Sequence, residues 1–265
     1  MITNRTRSVS KRIASTLLLL GAALCIAPPL QAGVSDIQDA INKAGKQRML
    51  TQKIMGSYAM LGMNFQPEQS TQRLRDSSAL FESQLNDLRA FPINDAVTQQ
   101  LEKVTTGWAS LKPKLDQAPQ KEQAAALSQE LDALMASANQ AVTLITEAAG
   151  GGAGEIVNLS GRQRMLSQRM NALYMLRAWG ATGFDFEAEF KKAVAEFKQA
   201  HTKLAASGLT TPQIKAILER TEKSFIWFER SAIKQSDTYV PALVLRAADR
   251  ILKEMNDATA QYASL

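Results

Sequence analysis

The stretch Ile41–Tyr58, INKAGKQRMLTQKIMGSY, returns 116 residues later as Val157–Tyr174, VNLSGRQRMLSQRMNALY. Eight of the eighteen positions are identical: Asn, Gly, Gln, Arg, Met, Leu, Gln and Tyr. Most of the others exchange like for like, as Ile for Val or Lys for Arg. Self-similarity at a fixed offset marks a duplicated structural unit. Core packing alone tolerates wide apolar exchange, so a repeated polar set asks for a further reason.

Outward from the two copies, helix formers dominate and strand signals are nearly absent. Prolines and glycines cut each repeat into four apolar-periodic segments. In the first, the spacing predicts helices near 36–64, 67–90, 94–115 and 120–148, with breaks at Pro67, Pro92 and Pro119. In the second it predicts helices near 155–181, 185–206, 212–235 and 240–263. Asp185 serves as an N-cap, Thr211–Pro212 as a cap and first-turn pair, and Pro241 as a helix start. Helices of this length on short loops fit an all-α fold of two tandem antiparallel four-helix bundles, over 33–149 and 155–265. Gly150–Gly154 between them reads as a flexible linker, with a signalling hinge as the alternative. Phe81 and Leu88 line up with Phe197 and Leu204 at the same offset. Trp108 and Trp227 line up after a shift of three, and all six read as core landmarks.

Residues 1–32 read as a secretory signal peptide. Arg5, Arg7, Lys11 and Arg12 precede the uncharged apolar run Ile13–Ala27, and Pro28–Ala32 ends in a small residue. The run falls short of the about 20 apolar residues of a spanning helix; an uncleaved anchor is the alternative. Four of the six net positive charges lie in this leader, so the basic pI does not argue for nucleic acid. The one cysteine, Cys25, lies there too, and Leu24 before it does not suit a lipoprotein signal. The remainder has no thiol or disulfide chemistry. With no second long apolar run, the expected product is exported, periplasmic and soluble.

The repeated helix carries two apolar stripes. At 100° per residue, Ile41, Gly45, Arg48, Gln52, Met55 and Ala59 share one face, and Leu50, Ile54, Tyr58 and Leu61 the opposite one. One stripe fills its own bundle. The other must meet the matching helix of the second repeat, or another subunit by self-association. A glycine inside a helix costs about 0.5–1 kcal/mol relative to alanine, so its return as Gly161 asks for a close approach. Arg48 and Arg164 lie one turn on, and Gln52 and Gln168 one turn further. An arginine in an apolar seam must be paired. Two readings stay open: the two arginines share one small anion at a pseudo-twofold seam, or each pairs with a carboxylate of its own bundle. At Met55 the second copy has Asn171, so the symmetry is imperfect.

Catalysis and cofactors find no support. His201 is the one histidine, set in a predicted helix and read as solvated, without metal-ligand spacing. The glycine run lacks the Lys-Ser/Thr of a phosphate loop. Ten methionines in a helical protein read as core filler.

The phrase N-x-A/S-G-x-Q-R-M-L-x-Q-K/R resembles the N-terminal sensory domain of PilJ-type (type IV pili) methyl-accepting chemotaxis transducers. It also resembles the P-box helix of NarX-type nitrate/nitrite sensor kinases. The resemblance implies an extracytoplasmic helical bundle that senses a small ligand. In the nitrate sensors the motif arginine of two subunits holds one nitrate, and that arginine falls on Arg48 and Arg164. The ligand residues so implied are Asn42, Gly45, Arg48, Met49, Gln52, Asn158, Gly161, Arg164, Met165 and Gln168. As read to Leu265, the chain shows no later membrane span, HAMP segment or output domain. The expected module therefore binds a small anion such as nitrate or nitrite and acts through a membrane-bound signalling or transport protein. The alternative is an envelope or pilus-associated scaffold whose arginines are structural.

Overall fold

A computed structural model describes Met1 and residues 33–233 and 239–265. The leader expected at 1–32 and the end of the helix expected to 235 lie outside the described residues. Residues 33–265 form one compact unit. It contains α1 (Ile37–Gly62), α2 (Pro67–Ala90), α3 (Asp95–Leu115), α4 (Ala124–Ala148), α5 (Ala153–Trp179), α6 (Phe186–Ala205), α7 (Pro212–Ile233) and α8 (Pro241–Ala263). No strand occurs among the described residues. The all-α expectation holds, and the described helix ends lie within two residues of those read from the prolines and caps, except that α4 starts at Ala124, four residues after the expected 120, behind a single 3-10 turn at Lys121–Gln123.

Local chemistry explains the boundaries. Asp36, Asn94 and Asp185 each accept the amide N–H three residues on, at 2.9, 2.9 and 3.0 Å, as N-caps do. Thr211 Oγ1 accepts from Ile214 N at 3.3 Å ahead of Pro212. Pro67 and Pro241 open α2 and α8, where a missing N–H leaves nothing unsatisfied.

Within each repeat the four helices pack in a ring: α1 on α2 and α4 with α3 closing, and α5 on α6 and α8 with α7 closing. The most extensive packing in the molecule joins the rings, α1 against α5. The second stripe of each motif helix therefore meets the other copy inside the same chain. The turn that allows this is short: Gly150, Gly151 and Gly152 all take positive φ, between 65° and 78°, which suits glycine alone. Gly154, already in α5, lies where a Cβ would stand 2.9 Å from Ile41 Cδ1. The run thus reverses the chain tightly and lets α5 settle onto α1.

Both central helices are buried nearly all round, although their sequences are half polar. Their polar groups find partners in a repeated pattern. Gln47 Nε2 donates to Phe81 O at 3.2 Å, and Gln163 Nε2 to Phe197 O at 2.8 Å. Thr51 and Ser167 hydroxyls donate to Arg48 O and Arg164 O, each at 2.8 Å. The Tyr58 and Tyr174 hydroxyls accept from Gln120 N and Val240 N, which lie on the chain leading into α4 and α8.

Two landmarks read from the sequence are corrected. Trp227 is not in the core: it is 46% exposed, whereas Trp108 is buried and stacks on Phe81 with ring centroids 4.5 Å apart. Its counterpart is Phe225, stacked on Phe197 at 4.2 Å. The periodicity of α7 places Phe225, not Trp227, over the ring interior. His201 is not a fully solvated residue either. Its ring is stacked on Phe197 at 6.1 Å, Nδ1 is buried without a partner, and burial pushes its pKa down.

Candidate functional site

The α1–α5 seam brings together six of the ten residues that the motif singles out. At its centre Gly45 faces Gly161. A Cβ added to Gly161 would stand 3.9 Å from Gly45 Cα, 3.1 Å from Arg164 Nη2 and 3.3 Å from Arg48 Nη2. A Cβ on Gly45 would meet the same two nitrogens at 3.2 and 3.4 Å. Both guanidinium tips therefore converge on the space that the two glycines leave clear.

Each arginine crosses the seam. Arg48 Nη1 donates to Asn139 Oδ1 of α4 at 2.8 Å, and Nη2 to Asn158 O of α5 at 3.3 Å. Arg164 Nη1 donates to Asn42 Oδ1 of α1 at 2.9 Å and to Asn256 Oδ1 of α8 at 3.2 Å. Its Nη2 donates to Asn42 O at 3.3 Å. All these acceptors are neutral amide oxygens. Among the described residues neither guanidinium pairs with a carboxylate, so the reading in which each is neutralised by its own bundle is not what the seam contains. Both side chains are 1% exposed, and the Nε of each is buried without a hydrogen-bond partner.

The electrostatics follow. Burial pushes the Arg48 pKa down to about 9, helped by the charges of Arg164 and Arg162. Burial alone takes Arg164 to about 9. Lys46, half-buried on the same turn, is lowered by burial and by the Arg164 charge. At neutral pH the seam thus holds two like charges in a low-dielectric setting, where an unpaired charge is expensive. A delocalised anion with oxygens in one plane complements two guanidinium forks and their free Nε–H donors.

The other motif residues lie elsewhere. Gln52 Nε2 donates to Asp132 Oδ1 of α4 at 2.9 Å, and Gln168 Nε2 to Ala248 O of α8 at 3.4 Å. Both turn toward the fourth helix of their own ring. Met49 and Met165 are buried in the hydrophobic core. Asn42 and Asn158 join the site unequally: Asn42 gives side chain and carbonyl, Asn158 its carbonyl.

Asn139 and Asn256 escaped the sequence reading. They lie outside the repeated phrase, on helices whose similarity is weak. One signal could have found them. At an offset of 117, α4 and α8 match Asn139 with Asn256 and Asp132 with Asp249. Those aspartates also take part in the structure. Arg169 bridges Asp132 at 2.6 Å and Glu189 at 2.7 Å, and Arg73 chelates Asp249 at 2.9 and 3.0 Å.

No group of histidine, cysteine or acidic residues among those described could hold a metal. No described helix is long and apolar enough to cross a membrane.

Comparison with known families places the chain. The family described as Type IV pili methyl-accepting chemotaxis transducer N-term matches residues 37–134 and again residues 148–260. The chain belongs to that family of sensory domains and carries two copies of its motif. No curated protein and no solved structure matches the chain.

Proposed function

We propose that this protein is an extracytoplasmic sensory module that holds one small oxyanion, nitrate or nitrite first, between Arg48 and Arg164, and reports it to a membrane partner. The observation that carries this reading is the pair of fully buried guanidiniums converging on Gly45 and Gly161 without a carboxylate. An anion there would relieve the repulsion that the seam otherwise bears. It would also accept from donors that have no partner, Arg48 Nε and Arg164 Nε.

The signal follows from position. The anion would sit in the packing between α1 and α5, which ties the two rings together. Binding there favours one arrangement of the seam over another, and packed helix interfaces shift between discrete states. A partner that reads the relative setting of the rings would sense the ligand. The leader-like segment 1–32 and the family's sensory role support export and an extracytoplasmic site.

The test is thermal unfolding of the protein with nitrate, nitrite, chloride and sulfate at fixed ionic strength. A ligand at 100 times its dissociation constant adds about 2.7 kcal/mol. The expected result is a gain with a planar oxyanion and little with chloride. Equal unfolding temperatures in all four anions would overturn the reading.

A further inference from the structure

The second ring has a surface feature that its fold does not require. An open groove of about 670 Å3 runs between α7 and α8. From α7 it is lined by Arg220, Lys223 and Trp227, and from α8 by Leu243, Arg246 and Arg250. On each helix the three lie at i, i+3 and i+7, a stripe about two turns long on either wall. Trp227 is 46% and Leu243 40% exposed, an unusual display for large apolar side chains. Among the described residues the four cations make no ion pair, so their charge on this face is not neutralised by a neighbouring carboxylate. Glu254 is the one acid in the lining among the described residues.

The first ring provides an internal control. Its α3–α4 pair packs by the same pattern, with Trp108 at the place of Phe225 and Asn139 at that of Asn256. At the positions equivalent to the six lining residues it has Lys103, Thr106, Ser110, Ala126, Gln129 and Ala133. One helix pair thus closes its ring with one cation on this face and no large apolar side chain. The other carries four cations around a tryptophan and a leucine. Packing does not demand the difference.

We infer that the α7–α8 groove is a docking surface for an acidic amphipathic helix of a protein partner. Two parallel stripes of cations interrupted by Trp227 and Leu243 complement a third helix that has carboxylates on its flanks and leucine-like residues on its contact line. The site is concave and walled on two sides, which favours an inserted helix over a flat lipid surface. It shares no residue with the guanidinium seam and stands without the anion reading.

The experiment is a fluorescence anisotropy titration of the whole protein with a labelled 18-residue helical peptide, leucine on one face and glutamate on its flanks. The same peptide with glutamine for glutamate, and vesicles of phosphatidylglycerol, are the other arms. The glutamate peptide should bind, with an affinity that falls as salt rises. The glutamine peptide should bind at least about tenfold more weakly, as should the glutamate peptide to an R246Q/R250Q variant. Trp227→Ala should weaken binding while leaving its salt dependence. These side chains are exposed, so the variants should keep the parent unfolding temperature. Equal binding of the two peptides, or of parent and R246Q/R250Q, would overturn the proposal. So would vesicle binding without peptide binding.

Discussion

Arg48 and Arg164 occupy equivalent positions, yet the protein holds them differently. Arg164 has two side-chain acceptors, Asn42 and Asn256, and one carbonyl. Arg48 has one side-chain acceptor, Asn139, and one carbonyl. Asn42 reaches Arg164 with its amide, whereas Asn158 offers Arg48 only its backbone. Arg48 also bears more of its neighbours' charge. Two identical subunits could not be tuned apart in this way, whereas a duplication within one chain can be. The looser half, Arg48, is the one whose environment a bound anion would change most.

The largest expected effect comes from breaking the pair. Arg48→Gln or Arg164→Gln should each remove the oxyanion-dependent gain, about 2.7 kcal/mol at 100 times the dissociation constant. Differential scanning calorimetry with and without nitrate reads it. Either variant retaining the gain would mean that one guanidinium suffices and the seam is not a shared site.

Gly161→Ala sharpens the same point without touching charge. The new methyl would crowd the ends of two arginine side chains and touch Gly45 Cα at an ordinary 3.9 Å, so unliganded stability should change by no more than about 1 kcal/mol, helped by alanine's helix propensity. Affinity for the anion should fall at least about tenfold, or about 1.4 kcal/mol. A variant that binds as well as the parent would place the anion away from the glycines.

A smaller contrast separates the halves. Asn139→Ala strips Arg48 of its one side-chain acceptor and should cost about 1–3 kcal/mol of unliganded stability. Asn256→Ala leaves Arg164 with Asn42 Oδ1 and should cost under about 1 kcal/mol, a fraction of a typical hydrogen bond's share. Urea unfolding of both, at equal salt, compares them. Equal losses would mean that the asymmetry of the seam has no energetic weight.

The pH dependence is expected to be the weakest signal. Both arginines fall from the ordinary, strongly basic guanidinium range to about 9 in the folded chain. Above about pH 9, up to the ordinary guanidinium range, the unfolded chain holds protons that the folded chain has shed. The contribution of these two groups to stability therefore rises with pH through that window, and their burial penalty is fully present below about pH 9. Anion affinity should move the opposite way, falling above about pH 9 as charge is lost. Stability measured at pH 8 and pH 10, relative to Arg48→Gln, isolates the effect. A parent that loses stability relative to the variant between pH 8 and pH 10 would contradict the sign.

Much of the fold was legible because helix ends have local causes: Asp185, Thr211, Pro67 and Pro241 act within one turn of themselves. The second apolar stripe on Ile41–Tyr58 correctly called for a second contact. What it could not name was the partner, because that depended on how Gly150–Gly152 would turn. Glycine permits a flexible linker and a tight positive-φ reversal equally, and only the packing of α5 on α1 selects the second. Trp227 aligns with Trp108 only through a three-residue shift, while the face of α7 is fixed by Ile214, Ile217, Leu218 and Phe225, all buried. Within the site, glycines and arginines were readable from their cost inside a helix. Asn139 and Asn256 were not, since a single asparagine on an amphipathic helix has no pattern until the facing arginine is known. Gln52 and Gln168 were placed one turn along the seam stripe, yet their long side chains swing to α4 and α8.

On the proposed reading, both arginines of a single chain share one anion. Isothermal titration calorimetry of nitrate into the protein, with oligomeric state fixed by light scattering, tests it most directly. The expected result is one anion per chain, and no binding heat in either Arg48→Gln or Arg164→Gln. Two anions per chain, one per two chains, or binding that survives loss of one arginine would contradict it.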